Sequence, residues 1–278
     1  MGVRIVSDSA CDLPPALCEE LGIEIVPLSI RFGADELVDR VELTTEAFWE
    51  RLARTTVLPE TAAPSVGAFE STFRNLQESG ADGIVCINLS SLLSATMQSA
   101  QIAAKAFDGV CPVEVIDSKS ASMGIGMQCL EAARVARDGG DLAAVVAAVE
   151  SARDRSHVLF TVDTLEYLRK GGRIGGAQAM LGSMLSIKPV ITVKDGAVEP
   201  AGKVRTRSKA LRFVVDQVKE RPVESLCVLH AQAPDVDEFV AMLEPIVPDS
   251  NIVVAMIGPV VGVHTGPGAM GVTWLDPS

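Results

Sequence analysis

Short apolar segments alternate with amphipathic helical ones along most of the chain, and this alternation limits the fold more than any other feature. Residues 3–7, 23–30, 83–88 and 113–116 read as strands. Residues 46–54, 95–107, 121–137 and 142–154 read as helices. Strand, helix, strand in repeated order closes into a parallel sheet with helices on both faces. Asp12 stands where it would cap a helix that has Pro14 and Pro15 in its first turn and Gly22 past its end. Thr44 or Thr45 opens the helix 46–54, and Thr61 to Ser65 leads into a helix that stops before Gly80.

The pattern changes after Ser156. Strands are expected at 157–162, 187–193, 197–204, 223–229, 251–257 and 270–275, with helices at 164–170 and 235–247. Asp195-Gly196 between two apolar runs is a hairpin signal, so this half contains antiparallel pairing. The expected class is therefore α/β with two α/β domains, 1–155 and 156–278. The first has a mostly parallel sheet flanked by helices and the second a mixed sheet. No Pro- or Gly-rich linker marks the boundary, which rests on the change of pattern alone. A chain of 29.3 kDa buries roughly three quarters of its unfolded surface, so a core needs no disulfide or metal.

Charge removes several functions. There are 24 basic against 36 acidic residues, a net of −12. A nucleic-acid binder needs a basic face, and an anionic membrane surface would repel this chain. The six cysteines form no CxxC, sit in apolar or helical runs, and read as reduced buried thiols. Asp8 and Asp12 come too early for a signal peptide. The apolar stretch 252–263 is interrupted by Gly258-Pro259 and is too short to span a bilayer. The expectation is a cytoplasmic protein. The three histidines lie far apart without metal-ligand spacing, so neither metal nor cofactor is expected. Residues 170–176 are Gly-rich but follow a helix, and Gly196 to Lys203 misses the phosphate-loop spacing by one residue.

Two hydroxyl-rich loops lead into helices: Thr61-Ala62-Ala63-Pro64-Ser65 and Ser90-Ser91-Leu92-Leu93-Ser94. A helix start offers free N–H groups and partial positive charge. Added hydroxyls make it a site for a small anion, with ordinary capping as the competing explanation. Ser7-Asp8-Ser9 follows the first strand, where a doubly wound domain also puts ligand contacts, and reads in preference as a turn and cap. His264 sits in a Gly- and Pro-rich run, 258–268, that reads as irregular. Lys203, Arg205 and Arg207 alternate at a strand end, either as a solvated edge or as a docking patch.

Taken together these segments resemble the DegV family of bacterial fatty-acid-binding proteins. The matching pieces are Ser7 to Pro14, Thr61 to Ser65, Ser90 to Thr96, Asp117-Ser118, Thr164 to Ile174, Ile187-Lys188-Pro189, Gly202 to Arg205 and Gly258 to Gly268. They occur in family order over nearly the whole chain. The resemblance implies a long-chain fatty acid held between the two domains. It further implies that the carboxylate is presented to a separate ATP-dependent fatty acid kinase, which makes acyl phosphate for phospholipid synthesis. On that basis Thr61 and a loop serine, Ser91 or Ser94, hold the carboxylate together with His264. Arg173 and Arg205 belong to the carboxylate surroundings or to kinase docking.

The sequence departs from the family pattern at Ala62 and Ala63, which remove polar groups, and at Leu92 and Ala95, which stand where the family has glycines. Leu92 is expected either to narrow the pocket or to force a different backbone. The alternative is a serine-dependent acyl hydrolase or transferase with Ser91 or Ser94 as nucleophile and His264 as base. No G-x-S-x-G elbow supports it, and a non-enzymatic carrier is preferred.

Overall fold

The computed structural model describes residues 2–247 and 252–278, and of 183–186 the backbone alone. In chain order the elements are β1 (Val3–Asp8), α1 (Pro15–Leu21), β2 (Ile23–Val26), β3 (Ser29–Phe32), β4 (Asp35–Val38), α2 (Thr45–Arg54), β5 (Glu60–Ala62), α3 (Val66–Glu78), β6 (Gly83–Asn88), α4 (Thr96–Ala104), β7 (Val113–Asp117), α5 (Met123–Arg137) and α6 (Leu142–Arg155). There follow β8 (Ser156–Thr161), α7 (Glu166–Lys170), β9 (Lys188–Lys194), β10 (Ala197–Val204), α8 (Arg207–Lys219), β11 (Ser225–His230), α9 (Val236–Leu243), β12 (Ile252–Met256), α10 (Pro259–Thr265) and β13 (Met270–Leu275). Residue 251, where the sequence starts a strand, lies outside the described residues.

The alternating pattern of the first half yields a four-stranded parallel sheet, β2-β1-β6-β7. Period two along β6 sends Ile84 and Cys86 to the face covered by α3 and α4, and Val85 and Ile87 to the face covered by α5. The second half forms a six-stranded mixed sheet, β10-β9-β8-β13-β11-β12. Asp195 and Gly196 both take positive φ, 51° and 86°, so the expected hairpin joins β9 to β10. The six cysteines are free and buried. Val158 and Phe160 of β8 point toward the parallel sheet, and Leu159 points to the outer face under α8. The inner layer is α5, whose residues from Met123 to Cys129 are all buried. The first two turns of α5, buried on every side, lie between the two sheets, and its charged residues Glu131, Arg134 and Arg137 come in the second half.

Three local readings are corrected. The strand expected over 23–30 is two strands, β2 and β3, and β3 belongs to a small antiparallel sheet, β4-β3-β5. Asp12 does not cap α1, whose capping position is Pro14. Its side chain turns inward instead and accepts from Ser122 Oγ at 2.5 Å and from the Gly258 N–H at 3.0 Å. Burial pushes the Asp12 carboxyl up to about 7 despite these bonds. Residues 258–268 are not irregular throughout, since Pro259 starts α10 and Gly266 ends it. That helix crosses to the first half and packs on α2, where Trp49 Nε1 donates to the Ile257 carbonyl at 2.9 Å.

Candidate functional site

Between the two sheets lies an apolar cavity whose empty space, counted together with the open space at its mouth, is about 690 Å³. Its walls come from both halves. Leu28, Leu89 and Leu93 face Val158, Phe160, Ile191, Val193 and Val198 of the mixed sheet, and Val260 and Val261 of α10 close it. Period two explains the sheet wall: Val158 and Phe160 alternate on β8, and Ile191 and Val193 on β9.

At one end the lining turns polar. Thr61, Arg173 and His264 meet there, and Ser94, next to the Leu93 that Arg173 binds, also lines the cavity. Thr61 Oγ1 and His264 Nε2 are 3.1 Å apart. Thr61 is carried by β5, opposite Ile30 of β3, and not by a helix-start loop; Ser65 caps the following helix. Ser94 Oγ lies 2.9 Å from Thr96 Oγ1 and accepts from the Thr96 N–H at 3.2 Å. Arg173 fastens the two halves: its Nε donates to the Leu93 carbonyl at 3.0 Å and its Nη1 to the Gly171 carbonyl at 2.7 Å. An outer cleft of about 1000 Å³, walled by residues 56–60 and by Tyr167, Lys170 and Gly171, shares Thr61, Arg173 and His264 with this end.

His264 is held neutral. Burial, and secondarily the Arg173 charge, bring its imidazole down to about 4 from the ordinary 6.5. Its Nδ1 is buried without a hydrogen-bond partner among the described residues and rests against Gly171, where a Cβ would leave it no room. Because the folded value lies below the unfolded one, the protein is stabilised by this group above pH 6.5 and loses that contribution as pH falls through about 4. His264→Gln removes the effect. The stability gap between wild type and variant is expected to shrink by on the order of 2–3 kcal/mol from neutral pH to the acid end of that window. Denaturant titrations of the unliganded proteins across the window measure it, and parallel curves would refute it.

Two expected site residues lie elsewhere. Ser91 is exposed and donates to Asp117 Oδ2 at 2.5 Å, away from the cavity. Of the two candidate serines, Ser94 is the one at the cavity. Arg205 is exposed beyond the end of β10 and does not line the cavity. Arg207, its neighbour in the basic alternation, is committed to Asp235 and the Gly268 carbonyl. Leu92 does not narrow the pocket, because it is 68% exposed and lies outside the lining. Ser7 and Asp8 end β1 and Ser9 opens a short 3-10 turn, all buried, with Asp8 capping that turn by accepting from the Ala10 N–H and also accepting from the Leu89 N–H.

Sequence reasoning missed Ser90. It is fully buried, and its hydroxyl donates to the Gly196 carbonyl at 2.7 Å, tying the loop before α4 to the hairpin turn of the mixed sheet. It also missed the apolar wall, for which the alternation in β8 and β9 was the available signal. Among the described residues no cluster of three or more His, Cys, Asp or Glu is placed to hold a metal, and no helix is long and apolar enough to cross a membrane.

Fold and site together define an α/β protein with an apolar cavity closed between two sheets and a polar end beside an outer cleft. Comparison with known proteins agrees. Residues 2–276 match the family model described as "Uncharacterised protein, DegV family". A DegV domain-containing protein of Streptomyces coelicolor is 39% identical over 276 residues, covering 97% of each chain. Among solved structures, a DegV family protein from Thermus thermophilus, described for its fatty acid binding, superposes with a TM-score of 0.92 at 35% identity over all of both chains. DegV of Bacillus subtilis, described as a fatty acid binding protein, gives 0.91 at 28% identity, also over all of both chains. A stearic-acid-binding protein from Eubacterium ventriosum gives 0.87 at 30%, covering 99% of this chain and 98% of that one. The chain belongs to the DegV family.

Proposed function

We propose that the protein binds one long-chain fatty acid, with its tail in the apolar cavity and its carboxylate at Thr61, Ser94 and His264. The observation that carries this is a cavity apolar along its walls and polar at the end that adjoins an outer cleft. Each methylene moved from water into such walls contributes about 0.8 kcal/mol. With His264 neutral and its proton on Nε2, the imidazole donates to Thr61 Oγ1. That leaves the Thr61 O–H free to donate to a carboxylate oxygen. Arg173 holds the loop that carries Leu93 and adds positive charge at the same end. The proposal divides the chain at residue 155, with the ligand between 1–155 and 156–278.

The carboxylate would be presented through the outer cleft to a separate ATP-dependent fatty acid kinase in the cytoplasm, giving acyl phosphate for phospholipid synthesis. Exposed Arg205 and Lys203 would then serve docking, and this chain would act as carrier and not as the enzyme. The serine hydrolase or transferase alternative requires a serine paired with a histidine. Here the Ser94 hydroxyl pairs with Thr96 and the His264 Nε2 with Thr61. The test is mass spectrometry of protein expressed in bacteria. Native and denaturing spectra are expected to differ by the mass of one fatty acid. Equal masses, with no uptake of labelled palmitate or oleate, would end the carrier reading, and turnover of acyl esters would favour the alternative.

A further inference from the structure

The apolar cavity is walled at one place by two valines that have a different environment behind them. Val158 of β8 and Val193 of β9 line the cavity, and both also line a separate polar cleft of about 1570 Å³. The outer cleft at the carboxylate end shares Thr61, Arg173 and His264 with the cavity, and shares no residue with the polar cleft. The two valines therefore form a partition away from the carboxylate end.

The polar cleft exists because neighbouring strands part. β8 and β9 pair over Leu159↔Thr192, Phe160↔Ile191 and Thr161↔Val190, and the ladder does not continue to residues 156–158 and 193–194. The gap is lined by Lys119, Arg153, Lys194 and Arg221, and Gln128 Oε1 and Ser156 Oγ are buried on it without partners among the described residues. A methylene kept among apolar side chains is worth about fourfold in affinity, and one pushed into this cleft forfeits that gain. Val158 cannot retreat to admit it. The residue is buried against α5, so closely that a Cβ on Gly124 would stand 2.7 Å from its Cγ2.

We infer that Val158 and Val193 are the chain-length stop of this site, ending the apolar cavity and setting the longest fatty acid it holds. The inference rests on the fatty-acid reading above. Its test is a binding series of saturated acids from lauric to behenic acid against wild type, Val158→Ala, Val193→Ala and Val193→Phe. Wild-type affinity should climb by up to about fourfold per added methylene and then break at one length. The two alanine variants should move that break to longer acids by about one or two carbons, and Val193→Phe should move it to shorter ones. Val193 is only half-buried, so its two variants carry the test if Val158→Ala fails to fold. Folded Val193 variants that keep the wild-type break would overturn the stop alone. A wild type that binds no acid in the series would overturn the fatty-acid reading itself, and the stop with it.

Discussion

Thr61→Val combined with Ser94→Ala is expected to weaken fatty-acid binding by about a hundredfold or more, because in the proposed binding mode each hydroxyl would give a charged carboxylate a bond worth about 1.5–3 kcal/mol. The Thr61 change also strips His264 Nε2 of its partner, 3.1 Å away, so the polar end loses more than the bond to the ligand. The fold should survive. Valine matches threonine in shape and suits β5, and Ser94 sits in a loop where its hydroxyl meets only Thr96 among the described residues. Displacement of a fluorescent fatty acid gives the affinity, and scanning calorimetry of the unliganded proteins gives the fold control. A double variant that binds as wild type does would place the head group elsewhere in the cavity.

Trp49→Ala should give the largest loss of stability of any single change considered, about 3–5 kcal/mol, the usual cost of truncating a buried tryptophan. Trp49 is 2% exposed, meets Phe48 edge-on at 4.9 Å, and donates to the Ile257 carbonyl. Its ring packs on Gly262, where a Cβ would come within 2.9 Å of Trp49 Cζ2. The indole thus fixes α10, the helix that carries His264 to Thr61. Truncation leaves a cavity, frees a buried carbonyl and loosens the polar end, so ligand affinity should fall along with stability. Urea titration measures the first and the displacement assay the second. A loss below about 1 kcal/mol would mean that α10 is held mainly by other contacts.

Most elements were legible because their causes are local. Short apolar runs gave β1, β6 and β13 nearly to the residue, and Asp195-Gly196 gave the hairpin because two successive positive φ values suit that pair. Errors fell where a side chain serves a distant partner. Asp12 has the sequence setting of a cap, yet it is drawn inward by Ser122 and by Gly258, and nothing near it in sequence announces either. Thr61 reads as a loop hydroxyl because its strand is three residues long and pairs only with β3. The run 258–268 has the glycines of an irregular loop, but Gly262 is there to let a helix approach Trp49.

The candidate site divides in the same way. The resemblance in sequence order supplied Thr61, His264 and the choice between Ser91 and Ser94, but it could not make that choice. The packed chain turns the Ser91 hydroxyl outward to Asp117 and leaves Ser94 at the cavity, which is why the proposal takes Ser94. The packing also places Arg173, expected in the carboxylate surroundings or in kinase docking, in the cavity lining, where it also clasps the Leu93 carbonyl. By itself the sequence determined the kinds of element, the parallel and mixed sheets, and the hydroxyl and histidine chemistry, since backbone preference and period act within a few residues. Tertiary structure alone decided which of those groups share one cavity and where its apolar wall stops. The reason is that hydrogen bonds such as Thr61–His264, 203 positions apart, are set by how two sheets and α10 pack and by no local signal.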